Sequence, residues 1–262
     1  MRIKIKLLFG LIILMFGVTP FVIAGNIFKS MADTTSSKIE IFTFTSNGKK
    51  MKGKIYLPPS YNTIKDLPSI FLIDFTEQHF KLATDEFEKV IEGVNQLKGI
   101  EALVVSLDGI LEIDAEPDKF EDHYTIFKDL SIYVDSFYTN NSSRTFIGKG
   151  SESGVVLMAL FHENYENPVF DNFIVTDPSP KYSSAILDLI EKNNFLENKS
   201  YKKLHFSFST SNNRELCIKL INVIKEAQYK WLQFESVEYS KSDYENTYPI
   251  SYADGIKYVF NE

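Results

Sequence analysis

Between residues 148 and 154 the chain reads Gly148-Lys149-Gly150-Ser151-Glu152-Ser153-Gly154, two serines among three glycines. A β-rich run, Thr145 to Gly148, leads into it, and an apolar run, Val155 to Phe161, follows at helical length. A serine on a tight strand-to-helix turn can be a nucleophile. The turn presents its Oγ to the substrate, and nearby backbone N–H groups receive the oxyanion. Small residues flank such a serine because the turn is tight. Ser151 is the hydroxyl here that could attack; its other role is to bond a free N–H at the start of the helix. A serine hydroxyl also needs a base, and imidazole is suited to that near neutral pH. The chain has four histidines, His79, His123, His162 and His205, all upstream of Tyr239. His79, a lone histidine soon after a strand-like run, reads as a packing or hydrogen-bonding residue.

Other chemistries find less support. Cys217 is the one cysteine, cannot form an internal disulfide, and lies in an apolar helical pattern with no histidine close in sequence. It reads as core packing. No dinucleotide or phosphate loop, zinc-ligand spacing or calcium loop is present, so neither a cofactor nor a metal is expected.

The elements that must position these residues alternate along the chain. Ile39, Phe42 and Phe44 lead to the turn signal Ser46-Asn47-Gly48, and Met51 to Leu57 follows, which predicts a hairpin. Ser69 to Asp74 and Ala102 to Leu107 are near-continuous apolar runs, as strands buried on both faces are. Thr145–Gly148, Phe173–Thr176, His205–Phe208 and Leu232–Tyr239 read as further strands. Helical spacing marks Phe87 to Leu97, Ile126 to Phe137, Val155 to Phe161, Ala185 to Glu191, Leu216 to Ala227 and Tyr252 to Phe260. The pattern predicts an α/β domain: a mainly parallel, doubly wound sheet opened by an antiparallel hairpin. Ligands of such sheets bind beyond the carboxyl ends of the strands.

The first 24 residues carry Arg2, Lys4 and Lys6, then an apolar run from Leu7 to Val18, with Val22 and Ala24 placed for cleavage before Gly25. They read as a secretory signal peptide. The competing reading is an uncleaved anchor, because apolar character resumes from Phe21 to Ile23. Residues 25–38 read as a linker and 39–262 as one domain. Export to the periplasm or outside the cell is the expected location. Loss of the three cations takes the net charge from −7 to −10. No Lys/Arg cluster remains, so nucleic-acid binding has no electrostatic support.

Several segments resemble, in order, the esterase family of α/β-hydrolases that includes enterochelin-esterase-like and esterase-D-like proteins. They are Lys54-Ile55-Tyr56-Leu57-Pro58-Pro59-Ser60-Tyr61, Phe71-Leu72-Ile73-Asp74 with His79-Phe80, the helix around Lys128 to Tyr138, Arg144 to Gly148, and Asp254 to Phe260. The resemblance implies the α/β-hydrolase fold over nearly all of the chain after the leader. Aligned without gaps on the family's pattern, Gly148 takes the first glycine and the nucleophile position falls on Gly150, which has no side chain. A shift of one residue would make Ser151 the nucleophile but puts Lys149 where a glycine belongs.

In this fold the triad runs serine, acid, histidine along the chain, so the base belongs after the last strand. Tyr244-Glu245-Asn246-Thr247-Tyr248-Pro249 resembles the family's segment there, with Glu245 in the histidine's place. A carboxylate of ordinary pKa, about 4.3, is a poor base for a serine at neutral pH. Glu215 resembles the family's acid; its other reading is a first-turn charge favoured by the helix dipole. Phe75, His79, Lys149 and Glu152 are expected to line the cleft, and Glu152 and Glu245 to face one another across it. The resulting expectation is an exported esterase-like protein that binds a small ligand or a partner protein without turnover. The alternatives are an active carboxylic-ester hydrolase using Ser151, and a structural envelope protein whose cleft is filled by Phe75, Lys149 and Tyr248.

Overall fold

The structure is a computed structural model that describes residues 36–74, 85–107, 116–163, 168–193, 200–211 and 213–261, without the side chains of residues 193, 244 and 245. The leader 1–24 and most of the linker lie outside the described residues.

Eight strands form one sheet: β1 (Lys38–Ser46), β2 (Lys49–Leu57), β3 (Ser69–Leu72), β4 (Leu103–Leu107), β5 (Arg144–Lys149), β6 (Asn172–Thr176), β7 (Lys202–Ser209) and β8 (Leu232–Tyr239). Their order is β1-β2-β4-β3-β5-β6-β7-β8. β1 and β2 pair antiparallel across the Asn47-Gly48 turn, β2 runs antiparallel to β4, and every other pair is parallel. The predicted parallel sheet with an opening hairpin is therefore present.

Among the described residues the α-helices are α1 (Asp85–Asn95), α2 (Phe120–Phe137), α3 (Ser151–His162), α4 (Ser183–Asn193), α5 (Arg214–Glu226) and α6 (Tyr244–Phe260). Side chains alternate along the strands, so the sheet has two buried faces. Ile70, Leu72, Val104, Ile147 and Ile174 meet Phe87, Val90 and Val94 of α1 and Tyr252 and Ile256 of α6. Phe71, Val105, Phe146 and Phe173 meet α2, α3, α4 and α5 on the other side.

Helix α3 is buried from Glu152 to Phe161, which is why its sequence is apolar on every side. A fully buried ion pair holds its far end. Lys202 Nζ donates to Glu163 Oε2 at 2.6 Å and to the Phe170 carbonyl at 2.6 Å, and Glu163 Oε1 accepts from Tyr124 Oη at 3.0 Å.

One sequence expectation is revised. The last helix was expected over Tyr252 to Phe260, but it starts at Tyr244 and runs through Pro249. Asp243 caps it, accepting from Asn246 N at 2.9 Å, and the early proline removes only the one N–H that would bond the Glu245 carbonyl. The segment that resembles the family's base-bearing piece is thus helical.

Packing at the near end of α3 leaves no slack. A Cβ on Gly154 would sit 2.2 Å from ring atoms of Tyr182, which is fully buried. Gly154→Ala should therefore destabilise the protein by about 1–3 kcal/mol through overpacking, read as a lower urea midpoint at unchanged slope.

Candidate functional site

The strand order reverses at β3, whose neighbours are β4 and β5. A doubly wound sheet opens a crevice at such a point, beyond the carboxyl ends of the strands. Asp74 follows β3 there, and Lys149 ends β5.

One residue, Gly150, makes the whole turn from β5 into α3. Its φ is +58° and its ψ −121°, backbone that side-chain-bearing residues rarely adopt. Its N–H donates to the Thr176 carbonyl and its carbonyl accepts from Ser179 N, both at 2.9 Å. The turn is crowded as well as strained: a Cβ on Gly148 would lie 2.8 Å from Ile73 Cγ2 and 3.0 Å from Glu152 Cβ. Ser151 is the first residue inside α3 and is half-buried, while Gly150 holds the cap position with no side chain to offer. Ser153, one turn-position further on, is the serine that locks the turn. Its Oγ lies 2.7 Å from both the Gly148 and Thr176 carbonyls and accepts from Thr176 N at 2.9 Å.

Lys149 points to the α1–α6 side of the sheet. Its ammonium is 3.0 Å from Glu86 Oε1 on α1 and 4.1 Å from the centre of the Tyr248 ring on α6. Tyr252 Oη donates to Glu86 Oε2 at 2.9 Å. Asp74 and Glu152 are both buried beside this pair. Burial, and then the charge of Asp74, push the Glu86 carboxyl up to about 7, against the pull of Lys149 and the Tyr252 hydroxyl. Burial, then Glu86, hold the Tyr252 phenol well above its ordinary value, so it stays protonated and donates. The cluster can therefore hold or release a proton near neutral pH and holds a cation on an aromatic face.

The other sequence candidates lie elsewhere or are not described. Glu215 stands exposed on the first turn of α5. Glu245 falls in the first turn of α6; its side chain, Phe75 and His79 lie outside the described residues. His205 is buried in β7 with Nδ1 3.0 Å from Glu235, and burial lowers its pKa. His162 is at the end of α3 away from Gly150, and His123 is buried in α2. Burial raises the Cys217 thiol to about 12, in keeping with core packing.

Sequence reasoning missed Glu86 and Tyr252. A signal was present for Glu86: it lies four residues before Val90 and eight before Val94, on the apolar stripe of α1.

The raised Glu86 pKa makes a stability prediction. The folded protein binds this proton more tightly than the unfolded chain, whose carboxyl titrates near 4.5. Stability from this group is therefore greatest below pH 4.5, falls as pH rises toward 7 and is flat above, by about 3 kcal/mol in all. Urea midpoints at pH 5 and pH 8 should differ less in Glu86→Gln than in the parent protein.

A scan against family models finds no match, and a comparison with curated proteins finds none. Solved structures do match. An IroE-like serine hydrolase from Shewanella oneidensis superposes with a TM-score of 0.68 at 17% identity, over 85% of this chain and 80% of that one. The siderophore hydrolase EstA from Aspergillus nidulans gives 0.67 at 12%, over 84% and 93%. The BES protein from Bacillus cereus gives 0.69 at 16%, over 87% and 96%. The strand order, the one-residue turn into a buried helix and these superpositions together give this chain the α/β-hydrolase fold.

Proposed function

We propose that this chain is an exported protein of α/β-hydrolase fold that binds a small ligand or a partner protein at the crevice without turning over esters. The observation that carries this is Gly150. The strained turn that would lift a nucleophile toward substrate is occupied by a residue with no side chain. The described histidines supply no imidazole beside it, and the adjacent Lys149 is engaged with Glu86. Export rests on the basic and then apolar segment from Arg2 to Val18. Recovery of the protein in the cytoplasmic fraction of its cell would count against that part.

A second reading is an active carboxylic-ester hydrolase with Ser151 as nucleophile. It is favoured by the names of the similar structures, a serine hydrolase and siderophore hydrolases. The ammonium of Lys149 packed on Tyr248 favours a third, in which the filled crevice is only structural.

Hydrolysis of short p-nitrophenyl esters and labelling by a fluorophosphonate separate the first two. Neither turnover nor labelling is expected. Turnover or labelling that disappears in Ser151→Ala would overturn the proposal and establish Ser151 as a working nucleophile. Binding of a ligand or partner that Lys149→Ala alters would separate the first reading from the third. Gly150→Ser should lower stability by about 1–3 kcal/mol, because serine must adopt the positive φ that glycine takes freely; equilibrium urea unfolding reads this directly.

A further inference from the structure

The opposite edge of the sheet, where the parallel strands begin, carries exposed aromatic surface. Phe137 ends α2 and is 67% exposed, and Ile64 is 47% exposed. They belong to one continuous patch. Phe137 packs on Tyr133 at 4.7 Å between ring centres, Tyr133 on Tyr138 at 6.3 Å, and Tyr138 on Tyr61 at 6.4 Å. The loop at Ile64 is bound to the same corner, because the Lys65 carbonyl accepts from Asn140 N at 2.9 Å and from Thr139 Oγ1 at 3.1 Å. The Lys65 ammonium lies 3.5 Å from the centre of the Tyr61 ring. Rings with polar tips and a lysine beside a bare phenylalanine are the composition that settles at a membrane–water boundary.

The chain's own N-terminus says what covers this patch. β1 starts at Lys38, paired with Leu57 at the end of β2, so the preceding chain leaves the domain at this same edge. β1 is also the strand on which the patch is built: Phe42 stacks on Tyr133 at 4.9 Å and lies 5.9 Å from Tyr138. Upstream, the sequence carries the apolar stretch Leu7 to Ile23, long enough for a short membrane span of about 17 residues. Residues 25–38 between them reach at most about 50 Å when extended. Lys38 and Glu40 pair at 2.5 Å where the chain enters β1.

We infer that the aromatic edge formed by Phe137, Tyr138, Tyr61 and Ile64 lies against a lipid bilayer, with the Leu7–Ile23 stretch retained in that bilayer. The crevice at Gly150, on the other edge of the sheet, then faces away from the membrane. This orientation does not depend on whether the crevice binds or hydrolyses.

Tryptophan quenching tests it on the full chain. Trp231, the one native tryptophan, is buried and gives a constant background. Phe137→Trp and, as a control on the crevice side, Thr210→Trp are reconstituted separately into phosphatidylcholine vesicles with and without brominated acyl chains. At least twofold greater quenching of the added tryptophan at position 137 than at 210 is expected. Equal quenching at the two positions, quenching only at 210, or none at either would overturn the inference. So would emission at position 137 that shifts to the blue with protein concentration and resists bromolipid, because a second copy of the chain would then cover the patch.

Discussion

The architecture depends on one close approach, the entry of the buried helix α3 behind the carboxyl end of β5. This helix, buried along most of its length, starts one residue after the strand that feeds it. A single residue with positive φ, Gly150, provides that start, and the Ser153 hydroxyl bonds backbone groups of β5 and β6 beside it, at Gly148 and Thr176. Gly148 and Gly154 allow the strand and Tyr182 to close on the helix. The far end is held by Lys202 and Glu163, whose charges are buried only because each is paired and hydrogen-bonded. The positions of Lys149 and Glu152 on either side of Gly150 follow from where α3 starts.

That same geometry puts glycine at the sharpest point of the turn. In an ester hydrolase a strained turn is useful because it aims an Oγ. Glycine adopts that positive φ without a Cβ penalty, and charged side chains fill the volume behind it. Lys149, Glu86 and Tyr252 form a chain of contacts from β5 to α1 and α6, with Asp74 and Glu152 close by. Burial first, and then the charge of Asp74, keeps Glu86 titrating near neutral pH, and the pairing with Glu86 holds the lysine inward. A similar link beneath the crevice joins Thr176, Ser207 and Ser251 by their hydroxyls, tying α6 to β6 and β7. Helix α6 thus serves the crevice through Tyr248 and Tyr252, on the aromatic and polar side it turns to the sheet.

Much of the frame was legible in the sequence because it is set by local pattern. The hairpin follows from Asn47-Gly48 between alternating strands, and the buried strands from runs such as Ile70 to Ile73 that have no polar face. The apolar run from Val155 to Phe161 already required a helix covered on all sides. The tight turn was legible in the glycines at 148, 150 and 154. The sequence was less informative about α6, where helical spacing marked only Tyr252 to Phe260; a cap at Asp243 and packing of Tyr248 and Tyr252 outweigh the loss of one backbone hydrogen bond at Pro249.

By itself, then, the sequence determined the fold class, the hairpin, the order of strands and helices, and the glycine-rich turn around Gly150. Those features depend on residue type and on spacing within about twenty residues. Only the tertiary structure decided which distant groups meet. Glu86, Lys149 and Tyr252 are separated by most of the chain, and nothing in their local patterns links them; the crossover from β4 sets β5 beside β3, and α6 folds back from β8 onto α1, which brings them together. It also decided that Gly150 carries the positive φ and that Ser153, rather than Ser151, bonds the turn, because both depend on how closely β6 packs beside β5.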